Sequence, residues 1–174
     1  MKKITKNVRP HSNLLIEKML IEWTIKTCDA LFIHNIRPAV GSVVYCNLGL
    51  VAEHSGIYVG RNKIVHLSGN GHIEKVSAKE FCERFSGLNP SFTVFCPVNS
   101  NGKAIGDKKV AEYALGAVGR VIEYNPLMRN CHCFSASCVC GKAMLCPRFR
   151  FLEKLISDKY GTYNWRATLL NHGD

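Results

Sequence analysis

A cysteine that follows a helix-capping asparagine is the residue of this sequence best placed to do chemistry. The pair is Asn130-Cys131, and the residues after it predict a helix that runs from Asn130 to about Ala143. Asparagine is a favoured N-cap, so Cys131 would lie in the first turn, where unpaired N–H groups and the helix dipole stabilise a thiolate. A nearby imidazolium would lower the thiol pKa further, and the N–H groups can also stabilise an oxyanion. Position alone does not decide, because a lone cysteine there is more often a small buried side chain.

Two histidines upstream lie on a predicted hairpin. His54 begins one strand and His66 lies near the end of the next, with a tight turn at Gly60-Arg61-Asn62 between them. The expected register places His66 beside about Ile57, so the two imidazoles are separated along the sheet but share a face. With Cys131, they would supply a nucleophile, a base and an orienting group in series. Taken singly, each histidine is more often a structural residue.

The nine cysteines offer a second interpretation, a zinc site. Four of them lie in apolar stretches and are expected to pack as small core residues: Cys28, Cys46, Cys82 and Cys96. The other five are clustered: Cys131, Cys133, Cys138, Cys140 and Cys146. Their spacing lacks the C-x(2–4)-C pairs usual for structural zinc, and alternate positions on a helix point apart. We therefore expect neither a metal nor another cofactor.

Composition and charge limit the classes of protein. The chain has 174 residues, of which 47% are hydrophobic and 21% charged, so a packed domain is favoured over disorder. No apolar run is long enough to span a membrane, and the basic N-terminus is not followed by a signal core. We expect reduced thiols and a cytoplasmic protein, with the membrane periphery as a second location. The net charge of +10 favours either general solubility or an anionic partner.

The remaining patterns predict a mixed chain in three parts. Strands are expected at 42–46, 54–60, 63–67, 73–76 and 91–97, with a short extended piece at 121–124. Helices are expected at 12–35, 107–116, 130–143 and 148–159. A further short helix is expected after Ser77, because Glu80 completes a capping box with it. The structure of the tail after the last helix is left open. The three parts are a basic segment with a helix (1–37), a core that contains His54, His66 and Cys131 (38–146), and an amphipathic helix with a tail (147–174).

The order of the motifs resembles that of the lecithin:retinol acyltransferase family. Gly41-Ser42-Val43-Val44-Tyr45 precedes Glu53-His54-Ser55-Gly56-Ile57-Tyr58-Val59-Gly60, and Ile64-Val65-His66-Leu67 follows. These stretches are similar to the family's histidine box, and Asn130-Cys131-x-x-Phe134 is similar to its N-C-E-H-F nucleophile motif. The resemblance implies an α+β, permuted papain-like fold, shared with the NlpC-type hydrolases. In that fold an antiparallel sheet packs against the helix that carries the nucleophile.

The same resemblance implies a site and a reaction. Cys131 would be the nucleophile, His54 the general base and His66 the polar residue that orients the base. The cysteine would take an acyl group as a thioester, with lipid acyl esters as the favoured donors. The thioester would then pass the acyl group to water or to an acceptor. The alternatives are a thiol peptidase or amidase that acts on peptidoglycan or protein, and a non-catalytic binding or effector module on the same fold. The chain departs from the family at Ser42, which replaces an acidic residue, and at His132-Cys133, which replaces Glu-His.

Overall fold

A six-stranded antiparallel sheet is the centre of the structure. The computed structural model describes residues 36–48, 52–83 and 93–170, so the predicted helix at 12–35, with Cys28, lies outside the described residues. The strands are β1 (Val43–Leu48), β2 (Ala52–Gly60), β3 (Lys63–Leu67), β4 (Ile73–Ser77), β5 (Phe95–Val98) and β6 (Asn164–Ala167). Their order across the sheet is β4-β3-β2-β1-β5-β6, and every neighbouring pair is antiparallel. This confirms the predicted α+β class.

Four helices accompany the sheet in the described ranges. They are α1 (Ala78–Cys82), α2 (Lys108–Leu115), α3 (Cys131–Cys140) and α4 (Phe149–Tyr160). The predicted capping box is present at α1, where the Ser77 side chain accepts from the N–H of Glu80 and the Glu80 carboxylate accepts from the N–H of Ser77. No helix in these described ranges is long and apolar enough to cross a bilayer.

The hairpin between β2 and β3 sets the position of both histidines. Its turn residues Arg61 and Asn62 have φ values of 50° and 54°, as a tight turn with two left-handed residues requires. Gly60 pairs with Lys63 and Tyr58 pairs with Ile64, so one residue of β2 bulges between them. On the far side of the bulge from the turn, β2 is therefore shifted by one residue relative to β3.

The two faces of the sheet are covered by different helices. On one face, Val44, Tyr58 and Ile64 form an apolar core with Phe81 of α1. On the other face, Tyr45 packs against the rings of Phe149, Trp165 and Phe95 at centroid distances of 4.5, 5.0 and 5.0 Å. Helix α3 packs against β2 and β3 and also contacts α4. Because side chains alternate along a strand, neighbouring residues of β2 face different helices.

Three elements differ from their predictions. Helix α3 ends at Cys140 and not near residue 143, because Gly141 adopts a left-handed conformation with a φ of 67°. The predicted extended piece at 121–124 makes only an isolated bridge, between Val121 and His72. The tail forms β6, which pairs with β5, so the sheet includes residues beyond 146. The three-part division of the chain itself stays a prediction.

Candidate active site

Cys131 is the first residue of α3 and is buried. The cap predicted for this helix is confirmed, since Asn130 has extended backbone angles and its side-chain oxygen accepts from the N–H of Cys133 at 2.9 Å. The Asn130 amide also donates to the carbonyls of Pro126 at 2.7 Å and Pro147 at 3.1 Å. These bonds fix the start of the helix between the two loops that flank it.

His54 and His66 form a direct contact. The Nε2 of His54 and the Nδ1 of His66 lie 2.7 Å apart, and the rings are nearly perpendicular. The prediction that the imidazoles would be separated along the sheet was wrong. Ile57 pairs with Val65, so the next position of the register puts His66 level with Gly56 and diagonal to His54.

The neighbouring strand β3 leaves no room for a side chain at Gly56, beside the histidine pair. A Cβ at this position would lie 2.8 Å from the Cγ2 of Ile64, 2.9 Å from the carbonyl oxygen of Val65 and 3.1 Å from the Cβ of His66. Phe81 of α1 packs against the pair, with centroid distances of 4.8 Å to His54 and 5.5 Å to His66. Both imidazoles are therefore held in a mostly apolar layer.

The thiol of Cys131 is close to Ser55, the β2 residue that follows His54. The N–H of Tyr58 points to Ser42, on the side of β1, and N–H directions alternate along a strand, so the N–H of Ser55 points toward β3. The pairing of β2 with β3 runs only as far as Ile57. The N–H and the hydroxyl of Ser55 act on the sulfur of Cys131, and both lower the pKa of the thiol. The sulfur thus lies next to the residue that follows His54.

Burial and hydrogen bonding act in opposite directions on the thiol. Burial raises the pKa of Cys131 above its ordinary value, while the backbone and hydroxyl of Ser55 and the backbone N–H groups of His132 and Cys131 oppose that rise. The outcome is a raised pKa, whereas the sequence led us to expect a lowered one. Burial therefore favours the protonated thiol, while the surrounding N–H and hydroxyl groups favour the thiolate.

Sequence reasoning did not find the polar cluster on the α3 side of β2. The hydroxyl of Ser55 lies 2.9 Å from the Nδ1 of His132 and 3.1 Å from the hydroxyl of Ser135, and all three side chains are buried. The Nδ1 of His132 is also 3.9 Å from the sulfur of Cys131. Burial lowers the pKa of His132 to about 4, so this imidazole is neutral at pH 7. The only sequence signal was that His132 departs from the family pattern.

The other cysteines of the cluster pack around α3. The sulfur of Cys133 accepts from the N–H of Cys146 at 3.2 Å. Burial raises the pKa values of Cys138 and Cys146 to about 12, which keeps both thiols protonated. Within residues 36–48, 52–83 and 93–170, no group of three or more histidine, cysteine or acidic side chains is placed to hold a metal ion.

An apolar cavity of about 360 Å³ adjoins the start of α3. Its apolar lining includes Leu67, Ile73, Ala117, Met128, Phe134 and Met144. Two cationic side chains, Arg120 and Arg129, also line it, as do Asn130 and Cys133, which lie within two residues of Cys131 in the sequence. A volume of this size is in the range of ligand pockets, which start at roughly 300 Å³.

Fold and motif order together define the class of protein. Histidines on an antiparallel sheet precede, in sequence, a cysteine at the N-terminus of a helix packed on that sheet, as in permuted papain-like proteins. The chain belongs to the lecithin retinol acyltransferase family, whose sequence profile matches residues 36–144. That family is part of the NlpC/P60-like, papain-like superfamily, and membership indicates acyltransferase or hydrolase activity. No curated protein and no solved structure matches the chain.

Proposed function

We propose that the protein is a thiol acyltransferase or hydrolase that forms an acyl-thioester on Cys131. The observation that carries this proposal is the 2.7 Å contact between His54 and His66, next to Ser55, whose N–H lowers the pKa of the Cys131 thiol. A histidine that is fixed by a polar partner beside a buried thiol is the arrangement that nucleophilic cysteine catalysis requires.

The donor pattern suggests which nitrogen acts as the base. The Nε2 of His54 faces the Nδ1 of His66, so a proton on that Nε2 leaves the Nδ1 of His54 with a lone pair. That Nδ1 takes the proton of Cys131 as the sulfur attacks an acyl carbonyl. The resulting imidazolium then donates its Nδ1 proton to the leaving group and is held by His66 through its Nε2–H.

Two steps complete the reaction. Attack forms an S–C bond and a tetrahedral oxyanion, whose collapse breaks the ester C–O bond and leaves the acyl-thioester. Water or an acceptor hydroxyl or amine then attacks the thioester, giving its proton to His54, and the C–S bond breaks. The imidazolium of His54 returns this proton to the sulfur, which restores the thiol and the neutral base. In this mechanism the N–H groups at the start of α3 stabilise the oxyanions, and a base must assist the attack of a thiol whose pKa is raised by burial.

Lipid acyl esters are the proposed substrates. The family acts on acyl lipids, and the cavity beside Asn130 combines an apolar lining with two arginines, as an acyl chain with an anionic head group would need. The net charge of +10 fits attraction to anionic lipid surfaces, so we propose that the protein works at a membrane periphery. Binding to anionic vesicles that weakens as salt is added tests this last point.

A substrate panel tests the proposed function. Release of fatty acid from phospholipids and cleavage of peptide amides are measured for the natural protein, for Cys131→Ala and for Cys140→Ala. Cys140 is a matched control because it lies on the same helix and is half-buried. We expect phospholipid turnover that Cys131→Ala abolishes and Cys140→Ala preserves. Turnover of peptides alone, or full activity of Cys131→Ala, would overturn the proposal.

A further inference from the structure

The Ser55 hydroxyl lies close to the reactive sulfur and to two other buried polar side chains, His132 and Ser135. This hydroxyl is 2.9 Å from the Nδ1 of His132, which is itself 3.9 Å from the sulfur of Cys131, and 3.1 Å from the hydroxyl of Ser135. The same hydroxyl lowers the pKa of the Cys131 thiol. His132 and Ser135 come from α3, 77 and 80 residues away from Ser55 in sequence. The reaction outlined above uses neither His132 nor Ser135, although both are buried polar side chains.

Counting protons restricts how these groups are connected. A serine hydroxyl has one proton to donate and two lone pairs that accept. If the Nδ1 of His132 carries a proton and donates to the Ser55 oxygen, the single Ser55 proton is left for the sulfur of Cys131. Ser135 then donates to the second lone pair of Ser55. With the other His132 tautomer, the Ser55 proton would be drawn to the imidazole and away from the sulfur.

We propose that Ser55 is a positioning residue that donates to the Cys131 sulfur as the sulfur becomes negative, and that His132 orients this hydroxyl through its Nδ1–H. This inference rests on the proposed function of Cys131. The sulfur is negative twice in that reaction, when the thiol loses its proton and when the thioester is cleaved, so the same hydroxyl assists both steps.

Two features support the required state of His132. The imidazole is buried and its ring packs 5.6 Å from that of Phe149, so it stays neutral and holds a single proton. The family motif that this stretch resembles has glutamate at this position. An ionised glutamate has only acceptors and could not donate to Ser55, whereas a neutral histidine can.

Amide substitutions of His132 separate the tautomers. The Nδ2 of asparagine lies close to where the Nδ1 of histidine was, while the Nε2 of glutamine lies closer to the Nε2 of histidine. The experiment measures alkylation of Cys131 by iodoacetamide across pH, by mass spectrometry of its peptide, in the natural protein, Ser55→Ala, His132→Asn and His132→Gln. Urea unfolding of each variant shows whether it is folded.

We expect Ser55→Ala to move the alkylation profile to higher pH, with a rate at fixed pH about tenfold lower, because the thiolate is then less populated. His132→Gln should do the same and His132→Asn should stay close to the natural profile. Adding Ser55→Ala to His132→Gln should cause no further change, because the two act through one bond. Other titratable groups in electrostatic contact with Cys131 are Cys46, Tyr124 and Cys146, and they are unchanged in every variant.

Three results would overturn the inference. They are an unchanged profile in folded Ser55→Ala, equal profiles for the two amide variants, and additive effects in the double variant. Alkylation needs no substrate, so this test is separate from that of the proposed function. If Cys131→Ala kept full turnover while Ser55→Ala shifted the profile, the acyl-thioester would be wrong and the arrangement of Ser55 right.

Discussion

The Nε2 of His54 and the Nδ1 of His66 lie 2.7 Å apart, and the β2 position level with His66 is a glycine, Gly56. A Cβ at Gly56 would lie 3.1 Å from the Cβ of His66 and closer still to Ile64 and Val65, so a side chain there would push His66 away from β2. The bulge near the turn sets this register, and Phe81 closes the space from the side of α1. The geometry of the histidine pair is therefore a property of the hairpin.

Gly56→Ala should disrupt the histidine pair. Its Cβ would lie within 3.0 Å of the Cγ2 of Ile64 and of the carbonyl of Val65, so β3 must move away from β2. We expect a loss of about 1–3 kcal/mol in the free energy of unfolding and at least a tenfold loss of turnover. Gly69→Ala is the matched control, because nothing lies within 4 Å of its Cβ position. Natural turnover in Gly56→Ala would contradict this account of the pair.

His66 should matter for catalysis through its Nδ1. His66→Leu removes the partner of the His54 Nε2, and we expect kcat to fall by roughly 10²–10⁴-fold, as for loss of acid–base assistance. His66→Asn can place its side-chain oxygen near the position of Nδ1 and should recover part of the rate. Steady-state kinetics on the best phospholipid measure both variants. Equal losses in the two variants would mean that His66 serves packing only.

His132 should make folding depend on pH below neutrality. Its pKa falls from 6.5 to about 4 on folding, so the fold favours the neutral imidazole. This contribution is complete above pH 6.5 and is lost as the pH falls toward 4, an effect of about 3 kcal/mol. Urea unfolding between pH 7 and 4 should give a steeper loss for the natural protein than for His132→Asn. Parallel curves would show that His132 is not held neutral.

The raised pKa of Cys131 predicts the shape of its reactivity profile. Because burial favours the protonated thiol, alkylation of Cys131 should increase steadily from pH 6 to 9 and should not reach a plateau below pH 7. The rate of iodoacetamide labelling at the Cys131 peptide measures this. A plateau already reached at pH 6 would indicate a preformed thiolate–imidazolium pair in the free enzyme.

Asn130 should do more than cap α3. Asn130→Asp keeps the oxygen that accepts from Cys133 but loses the amide that donates to Pro126 and Pro147. We expect the free energy of unfolding to fall by about 1–3 kcal/mol, because two carbonyls lose their donor and then face a carboxylate. Chemical denaturation measures the change. Unchanged stability would assign Asn130 a capping role only.

Local patterns predicted the elements that carry the site, and contacts distant in sequence explain what they missed. The capping box at Ser77, the cap at Asn130 and the strand at Lys63–Leu67 depend on neighbouring residues and were confirmed. Strand β6 was missed because it is an edge strand stabilised by pairing with β5, and its own residues do not alternate clearly. The bond from Ser55 to His132 joins residues 77 apart, which no spacing rule anticipates.

The acyl-thioester itself is the central claim, and intact-mass spectrometry tests it most directly. The natural protein, Cys131→Ala and Cys140→Ala are mixed with a phospholipid in excess and quenched in acid during the first turnover. We predict a gain in mass equal to one acyl group in the natural protein and in Cys140→Ala. Hydroxylamine should remove the group, and peptide mapping should locate it on Cys131. The same adduct on Cys131→Ala, or turnover with no adduct in any quenched sample, would contradict the account.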